Sequence, residues 1–530
     1  MKKEKKSVYE HPLCGESLPE ECIVINEYTL KENFIYAKII EHNKIRFYYL
    51  IEPILTNNEL AVYHDVITAL EYEINVPREY VNPIEYFDAL LNKVIKIYGI
   101  RNKGIDLEKI KYYVRRDMVG LGPLEPLLLD PNIEDISING LNKYVYVWHR
   151  VYENIPTNLI FRDEKTLDNN ITRLVHISNR HISSANPIAD AALPGGHRLN
   201  ATFRREVSPD GSSITIRKFK EIPISIIELI RYGTINYLIA AYLWLLMENR
   251  ITSVVIGSTG SGKTTTLNAL LSLLPANMKI VTIEEVKEIN IDHENWLPLL
   301  VRFSYIDKSA SVSAFKLVKA AMRMRPDLLV IGEVRGEEAY ALFQALSTGH
   351  GGMFTMHAED ANSAIQRLIS KPMNVAPAYI QFLDLALVVR RVTVNNKTVR
   401  RLINVDEIID ANTRSRMFEW NARDDRFVIK KLQKSVKLQK IMQIQSYDAD
   451  KLMNEFTNRI KVLYWLNSNN INSFREVSQV LQRYRITPQE LITMIDNDFK
   501  SKNIDIDNII KKMFDDSQDN SLDLKVPGFK

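Results

Sequence analysis

The chain has 530 residues, 45% of them apolar and 25% charged, which is ordinary globular usage and excludes collagen-like or low-complexity character. That length exceeds what one core supports and predicts about three or four domains. A formal charge of +4, from 69 basic and 65 acidic residues, is too small to argue by itself for a nucleic-acid partner, and Cys14 and Cys22 alone can build neither a disulfide framework nor a four-cysteine zinc module.

Residues 1–105 read as a variable N-terminal region, in which β-rich pieces such as RFYYLIEPIL alternate with amphipathic ones such as VNPIEYFDALLNKVIKIYG. The basic opening MKKEKKSVYEHP leads into no apolar segment, and no run approaches the roughly 20 apolar residues that a spanning helix needs. Residues 106–234 read as an α/β module: YVYVWH alternates like a half-buried strand, and RLNATF and SSITIRKF look like strands flanking a Pro-Asp-Gly turn. Residues 235–410 change rhythm. The apolar YLIAAYLWLLM, Tyr237–Met247, reads as a buried core helix, and the short strands in TSVVIG, KIVTIEE and LLVIGEV then alternate with helices, as a parallel doubly wound sheet requires. Residues 411–530 read as mainly helical and end in a loose tail, DNSLDLKVPGFK.

Chemistry concentrates in the third segment. GSTGSGKTT, comprising Gly257, Ser258, Thr259, Gly260, Ser261, Gly262, Lys263, Thr264 and Thr265, fits the P-loop pattern and lies between an apolar strand and a helix. Its backbone amides and the helix N-terminus can cradle the phosphates of ATP; Lys263 reaches the β and γ phosphates, and the Thr264 hydroxyl binds Mg²⁺. Hydrolysis also needs carboxylates. Glu333, after the apolar strand in DLLVIGEVRG, is the expected group for polarising water, and Glu284 and Glu285 in VTIEEVKEI are expected to join the metal shell, directly or through water.

A fourth stretch, STGHGGMFTMHAED, holds His350 and His357. No third ligand is spaced for zinc. Gly351 and Gly352 are expected to make a tight connection that brings both rings to one sheet edge, near the end of the Glu333 strand. His357 is the stronger candidate for reporting nucleotide state and His350 the second; the alternative is that both rings merely hold a turn.

Together these boxes resemble the secretion and pilus-assembly ATPases of the type II/type IV secretion superfamily: a Walker A loop, an aspartate box in TIEEVKEI, a Walker B segment in LLVIGE and a histidine box, in that order. The resemblance covers about residues 112–410. It implies an α/β chain with a PAS-like N-terminal domain, a RecA-like ATPase domain and a hexameric ring, with helical N- and C-terminal extensions expected on either side. By motif position it also places Arg198 in GGHRLN and Arg217 in SITIRKF at the nucleotide phosphates. Glu285 departs from the aspartate usual there. The missing cysteine module and the stretches INIDHENW and QFLDLALVV look more like the archaeal pilus and archaellum branch, whose members work in the cytoplasm, peripheral to the membrane, beneath a polytopic platform protein and drive pilin export. Competing readings are an archaellum motor, a nucleic-acid translocating motor and a structural ring that binds ATP without hydrolysis. Nucleic acid is disfavoured because no strong lysine or arginine stripe of the aromatic-interleaved kind appears beyond KIKYYVRR and VVRRVTVNNKTVRR, which could equally face neighbouring subunits or acidic lipid.

Overall fold

The computed structural model describes residues 22–31, 34–73, 83–97, 105–219, 223–302, 311–395 and 397–518; Cys14 and the tail DNSLDLKVPGFK lie outside them. Where sequence texture suggested four segments, the chain forms two compact units, Met1–Phe219 and Lys220–Lys530.

The first unit is built on a nine-stranded sheet of β1 (Ile23–Lys31), β2 (Ile35–His42), β3 (Ile45–Ile51), β4 (Ile133–Ile138), β5 (Tyr144–His149), β6 (Glu153–Ile160), β7 (Ile188–Ala192), β8 (Arg198–Thr202) and β9 (Ser213–Arg217), in the order β1-β2-β3-β6-β5-β4-β9-β8-β7. Strand alternation makes its core: Ile35, Ala37 and Ile39 point inward from β2 while the residues between them stay partly exposed. The region before residue 105 therefore does not stand apart. Its strand β3 joins β6 in parallel at Tyr48 and Thr157, and the Asn158 amide extends the seam by accepting from Leu50 N and donating to Leu50 O, each at 2.9 Å. Helices α1 (Asn57–Glu73), α2 (Pro83–Ile97) and α3 (Leu107–Met118) share a second core around Leu70, Leu91, Val94 and Val114. Two further helices, α4 (Glu125–Leu129) and α5 (Glu164–Ile177), complete the unit.

The second unit opens with α6 (Ile226–Arg231) and α7 (Tyr237–Glu248). Leu238 through Met247 are all buried, so the apolar run is a core helix; among the described residues no helix is long and apolar enough to cross a membrane. The chain continues through β10 (Ser253–Ile256), α8 (Lys263–Leu271), β11 (Ile280–Glu284), β12 (Trp296–Leu300), α9 (Ala314–Met322), β13 (Leu328–Ile331), α10 (Glu338–Ser347), β14 (Gly351–Met356), α11 (Ala361–Ile369) and β15 (Leu385–Val394). These six strands run parallel in the order β12-β11-β13-β14-β10-β15. Three antiparallel strands extend the sheet: β16 (Lys397–Ile408), β17 (Arg414–Asn421) and β18 (Arg426–Ile429). The sheet thus continues past residue 410, before the helices α12 (Val436–Gln445), α13 (Ala449–Ser468), α14 (Phe474–Ile486), α15 (Pro488–Ser501) and α16 (Ile506–Asp516). The architecture is mixed α/β with a helical C-terminal part; among the described residues the expected helical N-terminal extension is instead three strands, β1–β3, followed by helices.

Candidate functional site

In an open parallel sheet, ligand-binding loops gather at the carboxyl ends of the strands. Four sequence boxes meet there: Gly257 follows β10, Glu284 ends β11, Glu333 follows β13 and His357 follows β14. Because these strands are neighbours in the order β11-β13-β14-β10, their ends form one continuous edge. Short backbone links stitch it together, with Gly257 N donating to Met356 O at 3.4 Å, Gly332 N to Ile283 O at 2.9 Å and Val334 N to Thr355 O at 2.9 Å.

The phosphate loop is held tightly at both ends. A β-carbon on Gly257 would stand 2.3 Å from Val389 O, and Gly262 takes a left-handed φ of 95° that lets α8 start at Lys263. Ser258, Thr259 and Gly260 are exposed at the tip, while Ser261 is buried and Thr265 is half-buried on α8. Lys263 is 8% exposed; its Nζ donates to Ser258 O at 2.9 Å and lies 3.4 Å from His357 Nδ1.

Glu333 faces that lysine through the histidine. His357 Nε2 lies 3.0 Å from Glu333 Oε1, and this oxygen is buried with no hydrogen-bond partner. The other carboxylate oxygen, Oε2, is ion-paired to Arg335. Burial pushes the Glu333 carboxyl up, but Arg335, then His357 and Lys263, more than offset it and hold the group below its ordinary value. His357 is also held down, by burial and then by Lys263. An ionised carboxylate with one oxygen outside any hydrogen bond is suited to orienting water.

The acidic box divides its work differently from the sequence expectation. Glu284 is 4% exposed and turns Oε1 onto the amides of Glu288 and Ile289 at 2.9 and 2.8 Å, so it shapes the loop after β11. Burial raises its pKa to about 7 despite those amides, and Oε2 is buried without a hydrogen-bond partner. Glu285 points elsewhere, 3.8 Å from Arg335. The carboxylate that meets the P-loop threonine is Glu288, whose Oε2 accepts from Thr264 Oγ1 at 3.0 Å. Sequence reasoning passed over Glu288 because it weighted strand ends. The available signal was its spacing: four residues beyond Glu284, in a loop that the buried Glu284 has to fold back.

The two histidines part company. Gly351 and Gly352 lie inside β14, not in a turn, so His350 and His357 flank opposite ends of that strand, about 23 Å apart at strand rise. The glycines serve close packing: added β-carbons would lie 2.9 Å from Asp327 O and 2.5 Å from Leu346 Cδ2. His350 Nδ1 contacts Ala345 O and Thr348 Oγ1, both at 3.1 Å, beside the C-terminus of α10. In the first unit Arg198 and Arg217 stand directly opposite each other on β8 and β9, which places both on one face of that sheet.

The donor set fits Mg²⁺-nucleotide. The hydroxyl of Thr264, the Glu288 carboxylate and the unpartnered oxygen of buried Glu284 offer hard oxygens, and Mg²⁺ needs only one or two carboxylates when phosphates supply the rest. Among the described residues no group of three or more His, Cys, Asp or Glu side chains forms a metal cage. The Type II/IV secretion system protein family model matches residues 117–480. An uncharacterized protein of Methanocaldococcus jannaschii is 33% identical over 464 residues, spanning 82% of this chain and 84% of the relative. The type IV secretion system protein PtlH of Bordetella pertussis is 32% identical over 274 residues, 47% of this chain and 79% of that protein. Among solved structures, the Legionella pneumophila ATPase DotB overlaps 72% of this chain and 92% of its own at 16% identity and a TM-score of 0.39. The pilus retraction motor PilT with bound ADP overlaps 65% and 92% at 18% identity and a TM-score of 0.38. Overlaps this partial add nothing to the sequence match. With 364 consecutive positions matched, from the end of α3 to α14, the chain belongs to the Type II/IV secretion system protein family, and the activity that goes with it is ATP hydrolysis.

Proposed function

We propose that the chain is a Mg²⁺-dependent ATPase that works as a homo-hexamer and powers assembly of a type IV pilus-like filament, driving pilin export through a polytopic membrane platform protein from the cytoplasmic face. The observation that carries the reading is the continuous line from Lys263 through His357 to Glu333, set across the ends of three neighbouring strands. It ties the phosphate-binding lysine to the water-orienting carboxylate by way of one ring. In this role Lys263 leaves Ser258 O for the phosphates, His357 senses the change, and Glu333 Oε1 takes the attacking water. Thr264 and Glu288 hold the metal, with Glu284 fixing the Glu288 loop and Glu285 at its margin. His350 supports the far end of β14. The secretion role is supported by the family, and the similarity to a Methanocaldococcus jannaschii protein supports the archaeal branch.

Phosphate release with Mg²⁺ and ATP tests the reading. Glu333→Gln keeps the shape of the side chain but removes its charge, so kcat falls about a hundredfold or more while ATP still binds. Equal rates in wild type and variant would sink it. A rise in turnover with single-stranded DNA and none with a platform protein or lipid would instead favour the nucleic-acid motor. Neighbouring genes separate pilus from archaellum.

A further inference from the structure

The arginine-rich run VVRRVTVNNKTVRR, residues 388–401, lies in the hairpin of β15 and β16, where Arg390 pairs with Arg401 and Arg391 with Arg400. Directly opposed like charges weaken a ladder, so their placement calls for a reason. Alternation along β16 sends the last two arginines to opposite faces. Arg401 is buried on one face, bidentate to Asp425 at 2.8 and 2.9 Å, with Nη1 donating to Tyr232 O at 3.0 Å. The next residue is also fixed, because Leu402 N donates to Thr234 O at 2.9 Å. A rigidly anchored strand thus presents Arg400 on the other face, toward the phosphate loop. There its Nε donates to Gly260 O at 3.3 Å, and a β-carbon on Gly262 would stand 3.1 Å from Arg400 Cδ. The partner strand touches the same loop at its other end, through Val389 O against Gly257.

We propose that Arg400 is a nucleotide-positioning residue: from the antiparallel hairpin it straps the tip of the phosphate loop and adds positive charge at its rim. The inference rests on the reading that this loop binds nucleotide. The strap acts on the loop carbonyl, which leaves the loop amides for the ligand, and it draws on a strand outside the four sequence boxes. Gly262 is required twice over, once for its left-handed backbone and once to let the arginine stem pass.

The test uses the full chain as Arg400→Ala, Arg400→Gln and, as a control for hairpin charge, Lys397→Ala on the exposed end of β16. Affinity for fluorescent ADP and ATP, the KM and kcat of hydrolysis, and the melting temperature without nucleotide are measured for each. Both Arg400 variants are expected to bind ADP and ATP roughly tenfold more weakly and to raise KM similarly, with kcat changed less than about threefold and the nucleotide-free melting temperature unchanged. Lys397→Ala matches wild type. Affinity within about twofold of wild type in both Arg400 variants overturns the inference, as does a loss of affinity matched by a fall in nucleotide-free melting temperature. Wild-type protein that binds no nucleotide would overturn the underlying reading instead, so the two failures are distinguishable.

Discussion

Glu333 is pulled in two directions, and the balance sets how it can act. Burial favours its neutral form, whereas Arg335 pairs with one oxygen and Lys263 adds positive charge nearby, so the carboxyl stays ionised below its ordinary range. A base whose folded pKa is depressed is active above that pKa and is lost as pH falls through it. Arg335→Ala removes the strongest counterweight, leaving burial to dominate. The acid limb of kcat against pH therefore moves to higher pH. His357 moves the same way, because Arg335 is among the charges that hold its ring neutral. An unchanged acid limb would show that neither group governs the acid side. The residue scale is also where sequence and structure diverge most instructively. Lys263, Thr264, Glu333 and His357 were legible because each follows an apolar strand, and strand ends in a parallel sheet share one edge. The placement of His350 was not legible, since a Gly-Gly pair in sequence looks alike whether it turns the chain or lets Leu346 and the Asp327 carbonyl approach.

At the scale of elements, the loop after β11 shows how one acid positions another. Glu284 is buried at the strand end and folds the chain back by taking the amides of Glu288 and Ile289, which brings Glu288 to Thr264. Asn268 on α8 ties down the same loop by donating to Glu288 O at 3.2 Å. The three acids of the box should therefore separate by experiment. Glu288→Gln is expected to raise the Mg²⁺ concentration needed for half-maximal hydrolysis about tenfold or more, the scale seen when a ligand or its support is lost. Glu285→Gln, whose carboxylate faces Arg335 3.8 Å away, is expected to change it less than about threefold. The opposite ranking in a Mg²⁺ titration would return the metal role to Glu285. Register explains why this division lay beyond the sequence: a motif marks which acids are near a strand end, while the hydrogen bonds of the loop decide which one reaches the hydroxyl.

For the whole molecule, the C-terminal helices are structural partners of the phosphate site rather than an appendage. Helix α7 is buried all round, so part of its surface has to be covered by residues that arrive some 200 positions later. Trp244 stacks edge-on against Tyr484 at 5.3 Å with the Arg459 guanidinium 5.1 Å above its ring, and Glu248 pairs with Arg459 and Arg485 at 2.6 Å each. Arg485 then reaches Leu273 O and Leu274 O, just past the C-terminus of α8. Its positive charge complements the negative end of that helix dipole, while the opposite end of α8 opens the phosphate loop. The same helix is thus held at its tail by α14 and at its head by the ligand it is built to bind. Each large apolar side chain uncovered by losing these helices costs about 1.5–3 kcal/mol, and a typical domain is stable by only about 5–15 kcal/mol. A chain ending at residue 430, just past β18, is therefore expected to lose cooperative thermal unfolding and to bind no ADP, although every residue of the four boxes remains. Wild-type melting temperature and ADP affinity in that truncated chain would show that the sheet and its loops fold without the C-terminal helices. It would also mean that Arg485 contributes nothing to the seating of α8.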